Sequence, residues 1–136
     1  MMPRNIDAKK VSPDRARIYW DKARDFFRMM RDAAQAGNWN GTGLAAVHCA
    51  ISATDALLVA KAGRRSASKA HDDAADLVLT YVRHPQTTEQ ARRLRGILNQ
   101  KTMIEYVDKH FHAQSALELQ KQVERYVAWV QSLLSI

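Results

Sequence analysis

The chain has 136 residues, of which 46% are hydrophobic and 26% are charged, and it contains a single cysteine. This length suits one domain with its own core, and the composition excludes intrinsic disorder and an integral membrane protein. Cys49 has no partner for an internal disulfide, so we expect a reducing, cytoplasmic compartment with no secretory leader and no membrane contact.

The formal net charge is +7, and the excess of basic residues falls in two stretches of the chain. Residues 1–37 and 64–95 carry more lysine and arginine than aspartate and glutamate, whereas residues 38–63 and 96–136 are balanced. This distribution favours attraction to phosphate groups or to an acidic protein. The alternative is an ordinary solvated helix surface.

The beginning of the chain predicts a basic extension followed by a helix. Residues 1–12 are polar and basic, and we expect them to form a flexible N-terminus outside a single helical domain over residues 13–136. The Ser-Pro-Asp sequence at residues 12–14 is typical of a helix start, and Gly37 is a natural residue to follow the helix end. The arginines of this helix, Arg17, Arg24, Arg28 and Arg31, fall mostly on its polar side.

Glycine, proline and N-cap residues delimit the remaining helices. The second begins near Asn40 or Thr42 and ends at Gly63, and its apolar residues lie on nearly all sides, which predicts a place in the middle of a bundle. Three more are expected, from Ser66 or Ser68 to Pro85, from Thr87 or Thr88 onward, and over residues 113–134. No stretch alternates like a strand. We predict an all-α, antiparallel up-and-down bundle of four to five helices.

One polar stripe crosses the apolar second helix. His48, Ser52 and Asp55 are spaced by four and three residues, so they share one face. Buried polar groups need partners, because an unpaired one is costly. Asp55 either orients His48 or holds an arginine of a neighbouring helix at a groove, or the stripe is an internal hydrogen-bond network that fixes the helix register.

Several enzyme classes are excluded by spacing. His110 and His112 flank Phe111 with no cysteine or carboxylate at a metal-ligand spacing, so we expect no metal. Cys49 follows His48 directly, and adjacent residues of a helix point about 100° apart, which rules out a catalytic Cys–His pair. The chain has no glycine-rich phosphate loop, and we expect no cofactor.

Three stretches of the chain resemble the HEPN family (higher eukaryotes and prokaryotes nucleotide-binding domains). The first stretch is the turn at residues 36–39, which leads into an alanine-rich helix that ends with residues 55–58 and 61–63. The second is the basic loop at residues 64–70, which leads to His71 and Asp72. The third comprises residues 94–101 and 104–106, which precede a long amphipathic helix. The resemblance covers residues 13–134, and its order of elements implies the HEPN helical bundle.

The resemblance also bears on activity. Many HEPN proteins are metal-independent RNases with an Arg-x4-6-His motif, and others are nucleotide-binding or partner subunits beside a minimal nucleotidyltransferase. At the matching place this chain has Arg95 followed by Gln100, and a glutamine amide cannot transfer protons near neutral pH. The resemblance therefore implies binding without strong catalysis. If the domain is a nuclease, we expect Arg95, Arg65 and His71 to act.

The resemblance and the basic loop together predict a site for the phosphate groups of a nucleotide or RNA. The expected phosphate-binding residues are Arg64, Arg65, Lys69, His71, Arg95 and Lys101. The expected polar groove consists of His48, Asp55 and Tyr106.

The sequence also leads to predictions about partners and to two alternative functions. Trp20, Trp39 and Trp129 add to a large apolar inventory, and a bundle of five helices of this size is expected not to hide every aromatic residue. HEPN domains commonly pair through their helices, so we expect a two-fold homodimer. The resemblance implies a nucleotidyltransferase or antitoxin protein as a further partner. The alternatives are a toxin-like RNase and a pure protein-interaction module.

Overall fold

The structure, a computed structural model, describes residues 6–67, 72–106, 108 and 110–135. Its elements in chain order are strand β1 (Ala8–Lys10), a 3₁₀ turn (Pro13–Arg15), helix α1 (Ala16–Gln35), α2 (Trp39–Ala62), strand β2 (Arg64–Ser66), α3 (Asp72–Tyr81), α4 (Thr87–Tyr106) and α5 (Ala113–Leu133). Five α-helices therefore account for most of the described residues, and the predicted all-α bundle is confirmed.

Helices α1 and α2 form a tight hairpin around Gly37. Gly37 has a φ of 72°, a left-handed conformation that a residue without a Cβ adopts at little cost. Asn38 then caps α2, because its side-chain oxygen accepts a hydrogen bond from the backbone N–H of Gly41 at 3.0 Å. The predicted end of the first helix at Gly37 is thus explained by local chemistry.

Helix α2 lies at the centre of the bundle, as its apolar sequence predicted. Its alanines let the neighbouring helices approach closely, and the thiol of Cys49 donates to the carbonyl oxygen of Ala23 on α1 at 3.2 Å. By length and composition alone this helix would be long enough to cross a bilayer, with a mean hydropathy of 1.6, but 72% of that apolar window is buried inside the fold. Neighbouring helices therefore cover most of this apolar window.

One apolar face of α5 also reaches the core. Leu119, Val123, Tyr126 and Val130 are buried, and Val127 is half-buried beside them. These residues recur at intervals of three and four, so they form the continuous stripe that a helix buries against its neighbours.

The structure corrects the sequence analysis at the two short strands. Residues 8–10 lie in the segment expected to be flexible, yet they pair antiparallel with Arg64–Ser66. Ser66, one of the two residues predicted to start the third helix, lies in β2. The other, Ser68, lies outside the described residues, and α3 is described from Asp72. Gly63, with a φ of 63°, ends α2 and turns the chain, and its carbonyl accepts from the N–H of Val11 at 2.9 Å. Pairing between distant parts of the chain, rather than a local pattern, forms this ribbon.

The bundle buries some of its aromatic side chains and leaves others partly exposed. Trp20 and Trp129 are each 5% exposed, and Trp39 is half-buried. Phe26, Phe27 and Trp39 are among the aromatic residues that are only half-buried, which agrees with the expectation that the bundle does not hide every aromatic side chain. The homodimer itself stays a prediction.

Candidate functional site

The register of the β1–β2 ribbon places like charges opposite one another. Lys9 lies across from Arg65, and Lys10 lies across from Arg64. Directly opposite residues of an antiparallel pair have Cβ atoms about 5 Å apart, and like charges at that separation destabilise the pairing. Four cations thus occupy two adjacent cross-strand positions of a short ribbon.

The two lysines of β1 are open to solvent, whereas the arginines of β2 are half-buried. In the described part of the chain neither Lys9 nor Lys10 forms an ion pair. The ribbon therefore combines two ammonium groups on exposed side chains with two guanidinium groups that neighbouring helices hold.

Arg64 is held by Tyr81 of α3. Its Nη1 donates to the Tyr81 hydroxyl at 2.8 Å, and its guanidinium carbon lies 4.6 Å from the centre of the Tyr81 ring. Its Nε donates to the carbonyl oxygen of Ala62 at 3.4 Å. Cation–π contact and hydrogen bonding together fix the direction of this charge without neutralising it.

Arg65 points toward a different aromatic residue. Its guanidinium carbon lies 5.7 Å from the ring centre of Tyr19 on α1, and the Nζ of Lys22 lies 5.6 Å from the same ring. The Arg65 Nε atom is buried and has no hydrogen-bond partner among the described residues. Because successive residues of a strand face opposite sides, the structure does not bring the Arg64 and Arg65 side chains together.

Asp55, from the expected polar groove, lies in the field of Arg65 and Lys22. Burial raises the pKa of the Asp55 carboxyl to about 6, and the two cations act in the opposite direction. The cost of burying the carboxylate therefore exceeds what the cations return. Of the predicted site residues, Asp55 and Arg65 are a pair that the fold brings into electrostatic contact.

His48 belongs to a different environment from Asp55. Its ring stacks on Phe26 of α1, with ring centres 5.4 Å apart and an angle of 28° between the planes. Seven residues along a helix correspond to about 10 Å, so the imidazole is not positioned to interact with the Asp55 carboxyl. His48 and Asp55 thus lie near α1 at separate places. The side chain of Tyr106, the third residue of the expected groove, lies outside the described part of the structure.

Arg95 already has an acidic partner. Its Nη2 donates to Oδ1 of Asp76 on α3 at 2.7 Å, which joins α3 to α4. Lys101 is half-buried farther along α4. Gln100, at the place where the HEPN RNases have histidine, lines a cleft between α4 and α5. Lys69 and His71, which were expected to bind phosphate, lie outside the described residues.

Sequence reasoning missed a second basic feature on α1. Arg24, Arg28 and Arg31 line a cleft of about 430 Å³ between α1 and α5. Their spacing of four and three residues was visible in the sequence, and it places them on one face of the helix. The cleft itself was not predictable, because its other wall comes from the packing of α5.

The described residues offer neither a metal site nor a reactive thiol. No group of three or more histidine, cysteine, aspartate or glutamate residues among them is arranged to hold a metal ion. Cys49 is buried, and burial raises the pKa of its thiol to about 12. A thiol with such a pKa stays protonated and unreactive near neutral pH.

Comparison with known proteins gives a likeness of fold. No family model matches the chain, and no curated protein matches it. The fold is similar to that in the crystal structure of TT1696 from Thermus thermophilus, with a TM-score of 0.65 and 22% sequence identity. The likeness covers 88% of this chain and 98% of that chain, so the whole bundle is shared and not one helical hairpin.

Proposed function

We propose that this chain is a HEPN-like domain that binds the phosphate groups of a nucleotide or RNA at the β1–β2 ribbon. The observation that carries the proposal is the pair of like-charge matches, Lys9 with Arg65 and Lys10 with Arg64. Each unfavourable cross-strand pair gains stability when an anion lies against its side of the ribbon, because the anion screens the repulsion there.

The arrangement suits a phosphate backbone better than one small anion. The two strands present charge on both sides of the ribbon, and Lys61 adds an exposed ammonium at the end of α2. Arg64 and Arg65 lose little side-chain freedom on binding, because Tyr81 and Tyr19 already restrict them. Phosphate backbones attract such clusters over a distance and release counterions when they bind.

Binding without strong catalysis is part of this proposal. The Gln100 amide cannot transfer a proton. The Arg95 guanidinium, which the RNases would direct at the scissile phosphate, is already hydrogen-bonded to Asp76. The HEPN resemblance also supports a two-fold homodimer and an association with a minimal nucleotidyltransferase or an antitoxin protein. An adaptor of this kind presents RNA or a nucleotide to its partner.

The direct test is the salt dependence of RNA binding. Fluorescence anisotropy with a labelled single-stranded RNA gives Kd over a series of salt concentrations for the parent, Lys9→Ala and Lys10→Ala. Each lost phosphate contact is expected to weaken binding and to lower the slope of log K against log salt by about 0.7. Arg125→Ala is the matched control, because it removes one exposed charge from α5, away from the ribbon.

Three results would overturn the proposal or replace it. Equal salt slopes for the Lys9, Lys10 and Arg125 variants would show that the ribbon is not the binding surface, and an absence of binding at low salt would leave the interaction module. RNA cleavage in EDTA that is lost in Arg95→Ala would establish the RNase alternative.

A further inference from the structure

The cleft between α1 and α5 has the charge of a second anion site. Arg24, Arg28 and Arg31 are exposed, and no ion pair or hydrogen bond neutralises them within the residues that the structure describes. Arg17, on the same helix, is by contrast paired with Asp21 at 3.2 Å. Like charges three and four residues apart on a helix repel one another, so an anion bound among them would relieve that repulsion.

The acidic content of this cleft is too small to balance the arginines. Asp32 is the single carboxylate among the residues that line it. The lining therefore carries three guanidinium groups against one carboxylate, an excess of two positive charges. A phosphate monoester, with a charge of about −1.5 to −2, matches that excess.

Beside the charges the cleft also has an apolar and aromatic wall, most of which comes from α1, the helix that carries the arginines. Trp20, Phe27 and Val127 form it, and Phe27 and Val127 are half-buried, so part of each surface faces the opening. Gln35 and Gln131 add amide groups, which donate and accept hydrogen bonds. The volume of about 430 Å³ lies within the usual size of small-molecule sites, which are about 300–1,000 Å³.

We infer that the α1–α5 cleft binds an aromatic phosphate monoester, with its phosphate on Arg24, Arg28 and Arg31 and its ring against Phe27. A ligand with only a ring would leave the arginines unpaired, and inorganic phosphate would leave the apolar wall uncovered. Nucleoside monophosphates and the 5′-phosphorylated end of an RNA share this chemistry. The inference goes beyond the proposed function, because the site shares no residue with the ribbon.

The test compares three probes on the full chain by isothermal titration calorimetry. Uridine 5′-monophosphate is expected to bind more tightly than either inorganic phosphate or uridine. Arg28→Ala should weaken the monophosphate about tenfold or more, as expected for a charged hydrogen-bond partner. Arg17→Ala is the matched control, since it removes the same charge from the same helix, and its effect should stay within about twofold.

A second variant tests the aromatic part of the inference. Phe27→Leu should weaken uridine 5′-monophosphate and leave the affinity for inorganic phosphate unchanged. Circular dichroism melts of each variant confirm that the bundle is folded before binding is measured. Arg28→Lys retains the charge and loses the planar fork, so its affinity should fall between those of Arg28→Ala and the parent.

The outcomes separate this site from the ribbon. Unchanged binding of the monophosphate by Lys9→Ala supports two sites, and a loss in that variant would place the ligand on the ribbon and overturn the inference. Equal losses in Arg28→Ala and Arg17→Ala, or equal affinities for the monophosphate and inorganic phosphate, would also overturn it. Competition by a 5′-phosphorylated RNA but not by its 5′-hydroxyl form would identify the RNA end as an accepted source, and competition by neither would identify the free nucleotide.

Discussion

The hydroxyl oxygens of Thr54 and Tyr126 lie 2.6 Å apart in the core and join α2 to α5. Thr54 also donates to the carbonyl oxygen of Ala50 at 2.8 Å, so Tyr126 is the donor and Thr54 is the acceptor. Burial raises the pKa of the Tyr126 phenol, which keeps it protonated for this role. This bond fixes the rotation of α5 on the central helix.

We expect Thr54→Val to be more damaging than Tyr126→Phe. The valine leaves the Tyr126 hydroxyl buried without an acceptor, which costs about 1–3 kcal/mol of unfolding free energy. Tyr126→Phe removes the donor while Thr54 retains its bond to Ala50, and its cost is about 1 kcal/mol. Urea denaturation of both variants and of the double variant measures these values. The double variant should lose less than the sum of the two, and strict additivity would show that the two hydroxyls do not interact.

The raised pKa of Asp55 predicts how stability changes with pH. Between the unfolded pKa near 4 and the folded pKa near 6, the folded state keeps a proton that the unfolded state loses. The contribution of Asp55 to the unfolding free energy is therefore fully present below this pH range. It is lost as the pH rises through the range, by up to about 3 kcal/mol.

Asp55→Asn removes this titration, so the variant should be the more stable protein at neutral pH. The measurement is the difference in unfolding free energy between parent and variant at about pH 4.5 and about pH 7.5, where the other groups cancel. A difference that does not grow with pH, or a variant that is less stable at the higher pH, would contradict the prediction. In that case the electrostatic attraction to Arg65 and Lys22 outweighs the cost of burial.

The sequence predicted the helices well because their signals are local. Gly37 and Gly63 end helices through their own backbone conformations, and α2 is apolar on nearly every side, so each could be assigned without knowing the rest of the fold. The ribbon has no such signal. Three residues are too few to show an alternating pattern, and the partner of Lys9 lies far along the chain.

The site was less predictable than the fold, because a sequence shows which residues are charged but not the direction in which their side chains point. Arg64 and Arg65 were identified as basic, yet the strand sends one toward Tyr81 and the other toward Tyr19. Arg95 was assigned to phosphate, and the packing of α3 on α4 instead gives it Asp76. Tertiary contacts of this kind depend on the relative positions of elements, which no single segment encodes.

Two helical glycines should respond in opposite ways to alanine. A Cβ at Gly43 would lie 2.8 Å from Cδ1 of Ile104 and 2.8 Å from Cε2 of Phe111, so Gly43→Ala should cost about 1–3 kcal/mol. A Cβ at Gly96 would meet nothing within 4 Å, and Gly96→Ala should raise stability by up to about 1 kcal/mol through helix propensity. Thermal melts of the two variants, side by side, check the signs. A stabilised Gly43 variant would mean that α4 and the segment before α5 are not packed against the start of α2.

The ribbon should show a conflict between stability and binding at Lys9. Replacing Lys9 by glutamate places an acid opposite Arg65, and exchanging a repulsive cross-strand pair for an attractive one should raise the unfolding free energy by about 1 kcal/mol. The same change puts a negative charge where the phosphate backbone is proposed to lie, so RNA affinity should fall further than in Lys9→Ala. Thermal melts at low salt and RNA anisotropy measure the two effects on the same preparations.

Arg125→Glu is the charge-matched control, because Arg125 has no cross-strand partner, and this variant should change neither stability nor RNA affinity to this extent. If the Lys9 variant loses stability, the two strands are not paired in this register, and the like-charge argument for phosphate binding fails with it.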